Sequence, residues 1–121
     1  MQRAAQAYGN VAKQTSTPRE LEASLLLKAA AHFQAISEGW DRGKAELQDA
    51  LLYNRKLWTI FLTSVTSEES QLPVEIRQNV ANLGLFVLNQ TVAVTSDPKP
   101  EGLGSLININ RQIAAGLLGR A

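Results

Sequence analysis

The chain contains no cysteine. Thiolate metal sites, cysteine nucleophiles and a disulfide-held scaffold are therefore excluded, and the absence fits a reducing compartment. Histidine is nearly missing too. The one copy, His32, falls mid-helix with no carboxylate pair at metal-ligand spacing, and it reads as a structural or surface residue. There is no excess of one charge: twelve basic and eleven acidic side chains leave a net charge of +1, with the two signs interspersed. Proteins that hold nucleic acid by neutralising phosphates carry a larger and more clustered positive excess, so direct nucleic-acid binding is not expected. No apolar run approaches the roughly 18 residues of a membrane span, and the opening stretch MQRAAQAYGNVAKQ lacks the apolar core of a secretory signal. The expectation is a cytoplasmic protein with no membrane association. No serine sits in a Gly-x-Ser-x-Gly turn. Gly102-Leu103-Gly104, without a preceding strand, reads as a helix entry rather than a phosphate loop. No catalytic group, metal site or cofactor site emerges, which points away from an enzyme.

What is present is helical periodicity. With 121 residues, 45% of them hydrophobic, the chain can form one domain that buries roughly 60–70% of its unfolded surface. The pattern predicts an all-α, single-domain bundle of four to five helices over residues 1–121. Residues 2–14 form an Ala-rich helix with Ala4, Tyr8 and Val11 on one side. It is short and weakened by Gly9, so it is stable only when docked on the domain or on a partner. Thr17-Pro18-Arg19-Glu20 is a helix start, with Thr17 as cap, Pro18 at the first helical position and Glu20 completing a capping box. The stripe of the next helix is expected at Leu21, Leu25, Ala29, Phe33 and Ile36, widened by Leu26 and Ala30, and Gly39 is its stop. A third helix covers 44–65. Leu72-Pro73 opens a fourth, with Pro73 in its first turn and two apolar faces: Ile76, Val80, Leu83, Val87 and Val94 on one, Leu85, Leu88 and Val92 nearly opposite. Such a helix is either central in the bundle or offers one face to another molecule. Asp97-Pro98-Lys99-Pro100 turns the chain into a last helix with Leu103, Leu106, Ile109 or Asn110, Ile113 and Leu117 on one side.

Residues 50–62, ALLYNRKLWTIFL, carry the most regular seam. Leu47, Leu51, Asn54, Trp58, Phe61, Leu62 and Val65 share a stripe, with Asn54 as a polar group set into it. Single seam asparagines set register in coiled coils. Asn79, Asn82, Asn89, Asn108 and Asn110 also fall in helices, where the residue is a poor helix former. With Arg55, Arg77 and Arg111 near them, they can either be solvated or edge a groove for an incoming helix. The residues expected to contact a partner are Tyr53, Arg55 and Leu57 on the flanks of the seam, with Arg77, Asn108 and Arg111.

Four stretches make the chain similar to the bacterial FlaF family of flagellar biosynthesis regulators. They are AQAYGNVAKQTSTPRELEASLLLKAA, ALLYNRKLWTIFL, LPVEIRQNVANLGLFV and LININRQIAAGL, and they are spread over nearly the whole sequence. The resemblance implies an all-helical protein without catalytic residues or cofactor. It also implies a role in flagellin production or export, in company with the translational regulator FlbT. Two partners of different class follow: flagellin itself, held by an adaptor or secretion chaperone, or flagellin message, held by an RNA-associated regulator of translation. The pattern leaves monomer and homodimer both open.

Overall fold

A computed structural model describes residues 17–120. The helix expected at the start of the chain lies outside them. Helix α1 spans Pro18–Glu38, followed by a single helical turn α2 (Trp40–Gly43) and a 3-10 turn (Lys44–Glu46). Then come α3 (Leu47–Thr66), α4 (Val74–Ser96), a second 3-10 turn (Pro100–Leu103) and α5 (Gly104–Leu117). The fold is an all-α bundle of four long helices, with no strand among the described residues.

The helix ends follow local chemistry. Thr17 is extended, as a residue before proline must be, and its Oγ1 accepts from the Glu20 amide at 3.1 Å. Only this half of the capping box forms through the backbone; the Glu20 carboxylate instead accepts from the Thr17 hydroxyl at 3.4 Å. Gly39 ends α1, and the chain re-enters helix almost at once through α2. The third helix accordingly begins at Leu47 rather than three residues earlier. Pro73 is extended and stands just outside α4, whose own first residue is Val74.

Short connections place consecutive helices side by side and antiparallel. Helix α1 packs along α5 and α3, α3 packs along α4, and α4 approaches α5 only lightly. Helices α3 and α5 therefore face each other across a diagonal and meet through side chains. The core they enclose contains Leu26, Phe33, Ile36, Leu51, Trp58, Phe61, Val87, Leu103 and Leu106.

The seam of α3 is buried as its pattern predicts: Leu47, Leu51, Asn54, Trp58, Phe61 and Val65 all point inward. The stripe of α1 is buried at Leu26, Ala29, Ala30, Phe33 and Ile36 as expected, and departs from expectation at its start. Leu21 is 54% exposed, and the buried residues are Ala23, Leu26, Ala29, Ala30, Phe33 and Ile36. A row of i, i+4 residues overshoots each turn by about 40°, so a row extended back from Phe33 through Ala29 and Leu25 leaves the core before it reaches Leu21. The small residues Ala23 and Ala30 instead let α1 approach its neighbours closely.

Candidate functional site

A polar network lies at the centre of the bundle. The Trp58 indole N–H donates to Asn110 Oδ1 at 2.8 Å, and Asn110 Nδ2 donates to Asn54 Oδ1 at 2.8 Å and to the Leu26 carbonyl at 3.3 Å. Trp58, Asn54 and Asn110 are each 0% exposed. Three helices are thus tied at one level by a single carboxamide, with the Trp58 ring set edge-on against Phe61 at 5.5 Å between centroids. The arrangement has no route to solvent and nothing in it titrates. Its work is to fix register.

The expected contact residues do not converge. Tyr53 and Arg55 are separated by about 160° around α3, because two residues advance a helix by roughly 200°. Tyr53 lies on the α1 side, where it lines a cavity of about 310 Å³ with Lys28, Ala29, His32 and Asp49. Leu57 is on the same flank and half-buried against the core. Arg55 lies on the opposite flank, toward α4, where Leu62 packs against Gly84. Arg77 is half-buried in the first turns of α4, and its Nε has no partner among the described residues. Asn108 and Arg111 lie exposed on the outer side of α5, turned from the inward-pointing Asn110. Of the helix asparagines, Asn54 and Asn110 are core, while Asn79, Asn82, Asn89 and Asn108 are exposed. His32 is at the surface, 3.3 Å from Glu46.

What the structure does bring together is the outer face of the α3–α4 hairpin. Leu62 meets Gly84 where the helices cross, and by helical register the flank beyond that contact carries Leu52, Arg55 and Thr59 on α3, and Leu85, Leu88 and Val92 on α4. Leu85 is 61% exposed and Val92 65% exposed. This is an apolar strip with a guanidinium at its edge. The signal for it was present in the second apolar face of α4; its α3 half was hidden because Leu52 and Arg55, although i, i+3 neighbours, do not show which helix lies beside them.

A second concavity, of about 740 Å³, lies at the end of the bundle where the chain enters α1. Thr17, Arg19 and Glu22 form one wall, the α3–α4 loop from Ser67 to Leu72 another, and Leu117 closes it. Burial pushes the Glu22 carboxyl above its ordinary value of 4.5, against the opposing pull of Arg19. The native state then keeps this proton to higher pH than the unfolded chain does. Its contribution to stability is present at acid pH and is lost as pH rises above about 4.5 through the folded value. The variant Glu22→Gln is expected to be slightly more stable than the parent at neutral pH. It should also show a flatter loss of stability between acid and neutral pH, measured by urea unfolding at several pH values.

Among the described residues no group of three or more His, Asp or Glu side chains could hold a metal ion, and no helix is long and apolar enough to cross a membrane. The described residues thus form an all-helical bundle with a buried polar tie and an uncovered apolar strip. The family model for flagellar protein FlaF matches residues 4–117, and the chain belongs to that family. Neither the curated proteins nor the solved structures compared with the chain include a match.

Proposed function

We propose that this flagellar protein is a non-enzymatic cytoplasmic adaptor that binds flagellin and promotes its synthesis or export. The observation that carries the reading is the uncovered outer face of α4 beside Leu52 and Arg55. A helix whose two sides are both apolar buries one in its own core and has the other free for an amphipathic helix, and flagellin would supply one. Leucine and valine anchors near a guanidinium suit such a groove, since apolar contact supplies affinity and the charge fixes orientation. FlbT is a further proposed partner, through a surface yet to be assigned; Asn108 and Arg111 on α5 are available to it. The near-neutral charge weighs against binding of flagellin message.

Calorimetry with purified flagellin tests the reading. Binding at tens of micromolar or tighter is expected, and no heat in that range with both proteins folded would sink the direct-adaptor version. The double variant Leu85→Gln/Val92→Thr should weaken binding at least tenfold, about 1.4 kcal/mol, while leaving the thermal midpoint nearly unchanged because both side chains are already exposed. Tyr53→Ala, on the other flank of α3, is the control: loss of binding there would move the interface to the α1–α3 side.

A further inference from the structure

Charge is interspersed along the chain as a whole but segregated on the α3–α4 hairpin. From Ala50 to Thr66 on α3 and from Ile76 to Ser96 on α4 stand three basic side chains, Arg55, Lys56 and Arg77, and none of the eleven acidic ones. Asp49, Glu75 and Asp97 border these stretches without entering them. None of the three cations forms an ion pair with a described residue. Helical register sets them against the apolar strip. Because Leu62 meets Gly84 and the two helices are antiparallel, Arg55 lies level with Thr91. Arg77 belongs to the row of α4 that continues through Ala81, Leu88 and Val92. It therefore stands about fourteen residues, or about 21 Å, from the level of Arg55 along the same groove. Between these two ends the half-buried Leu62, Ala81 and Leu88 form the floor, and the exposed Leu85 and Val92 form the rim.

We propose that this groove takes an acidic amphipathic helix, whose apolar stripe carries one carboxylate near each end to pair with Arg55 and Arg77. The inference rests on the reading of this face as the docking surface and adds the chemistry of the partner. An apolar strip alone accepts any apolar stripe, so selection falls to the charges. Cations at both ends, with no carboxylate on the hairpin face to offset them, attract a helix with acidic flanks and repel one with basic flanks. The spacing also fits a single straight helix. Residues about fourteen apart advance it by about 21 Å and return to within about 40° of the same side, so both carboxylates face the groove together with the stripe between them. A second copy of this chain is the poorer occupant. A two-fold interface sets a face against itself, and here that opposes Arg55 and Lys56 to cations with no acid between.

The test titrates the full chain, labelled for amide spectra, with three synthetic helical peptides. They share one leucine stripe and differ only in the two flanking residues about fourteen apart: glutamate, glutamine or lysine. The glutamate peptide should move the amides of Leu52, Leu85, Leu88 and Val92, the glutamine peptide should bind roughly fivefold more weakly, and the lysine peptide more weakly still. Arg55→Gln and Arg77→Gln should each bring the glutamate peptide toward the glutamine peptide's affinity and leave the latter unchanged, whereas Arg55→Lys should keep most of the preference. Equal affinity for the three peptides would overturn the proposal, as would shifts centred on Lys28 and Tyr53, or no shift with any peptide at about 1 mM. So would the same amides moving with protein concentration alone, which would give the face to a second copy, or with anionic phosphatidylglycerol vesicles in preference to the glutamate peptide. Flagellin provides the separation from the adaptor reading. If Leu85→Gln/Val92→Thr abolishes its binding but Arg55→Gln and Arg77→Gln do not, the charge pairing fails and the adaptor stands. If the glutamate peptide binds as described and flagellin gives no heat, flagellin is the wrong partner and the acidic-helix groove stands.

Discussion

Replacing Trp58 by alanine is expected to destabilise the fold by about 3–5 kcal/mol, the range for removing a buried large aromatic. A domain with a total stability of about 5–15 kcal/mol would lose much of it. The cavity is one part of the cost. The other is that Asn110 Oδ1 loses its donor in a place no water reaches from bulk, and an unsatisfied buried acceptor costs about 1–3 kcal/mol. The two parts separate experimentally. Trp58→Phe keeps most of the volume and the edge-on contact with Phe61 but deletes the indole N–H, so it should cost roughly the polar part alone. The asparagines should differ as well. Asn110→Ala strips partners from Trp58 and Asn54 together, whereas Asn54→Ala leaves Asn110 still bonded to Trp58 and to the Leu26 carbonyl. Asn54 Nδ2 has no partner among the described residues to begin with, so Asn54→Ala orphans only the Asn110 Nδ2 hydrogen that Asn54 Oδ1 accepted. The expected order of loss in urea denaturation is Trp58→Ala first, then Asn110→Ala, then Asn54→Ala. Equal losses for the two asparagines would mean that the network is held from the Asn54 side.

The same network shows where sequence reading succeeds and where it stops. Asn54 stands in an otherwise apolar stripe of α3, so a buried, register-setting role was legible from spacing alone. Its partner was not. Ile109 and Asn110 are adjacent, either could have turned inward, and only the packing of α5 against α1 brings Asn110 to the core and leaves Ile109 at its margin. The helices themselves were legible because caps and breakers are local: Thr17-Pro18, Gly39, Leu72-Pro73 and Asp97-Pro98 each act within a turn. The facing of α1 was legible from Leu26 to Ile36 but not in its first turns, because Ala23 wins its buried place through close approach between helices, and hydrophobicity alone favours Leu21. For the candidate contact residues the sequence carries spacing along one helix and no more. Tyr53, Arg55 and Leu57 look like one cluster in sequence, yet the helix sends Arg55 to the α4 flank and the other two to the α1 flank. A surface shared by two helices is set by their relative rotation, and no single-helix pattern carries that angle.

Gly43→Ala is the second substitution with a large expected effect, about 3 kcal/mol of destabilisation. Gly43 has ordinary right-handed helical angles, φ −73° and ψ −24°, so its backbone conformation does not require glycine. The requirement is space. A Cβ at this position would lie 2.7 Å from the Ile36 Cα and 3.0 Å from the Ile36 carbonyl oxygen. Both are backbone atoms in the last turns of α1, so the clash cannot be relieved by a rotamer change. Either α2 lifts off α1, which moves the entry to α3 and with it Leu47 and Leu51, or the end of α1 distorts around the buried Ile36. Gly84→Ala is the instructive contrast. Its Cβ would come nominally closer still, 2.5 Å from Leu62 Cδ1, but the neighbour is the tip of a half-buried, flexible side chain. Leu62 can turn toward solvent, and alanine gains about 1 kcal/mol of helix propensity over glycine, so the net change should be within about 1 kcal/mol of zero. Thermal unfolding of the two variants side by side decides the matter. A Gly43→Ala protein as stable as the parent would mean that the α1–α2 corner is free to open. In that case the tight reversal at Gly39–Gly43 does not set the rotation of α3, and the hairpin face presented by Leu52 and Arg55 would need another origin.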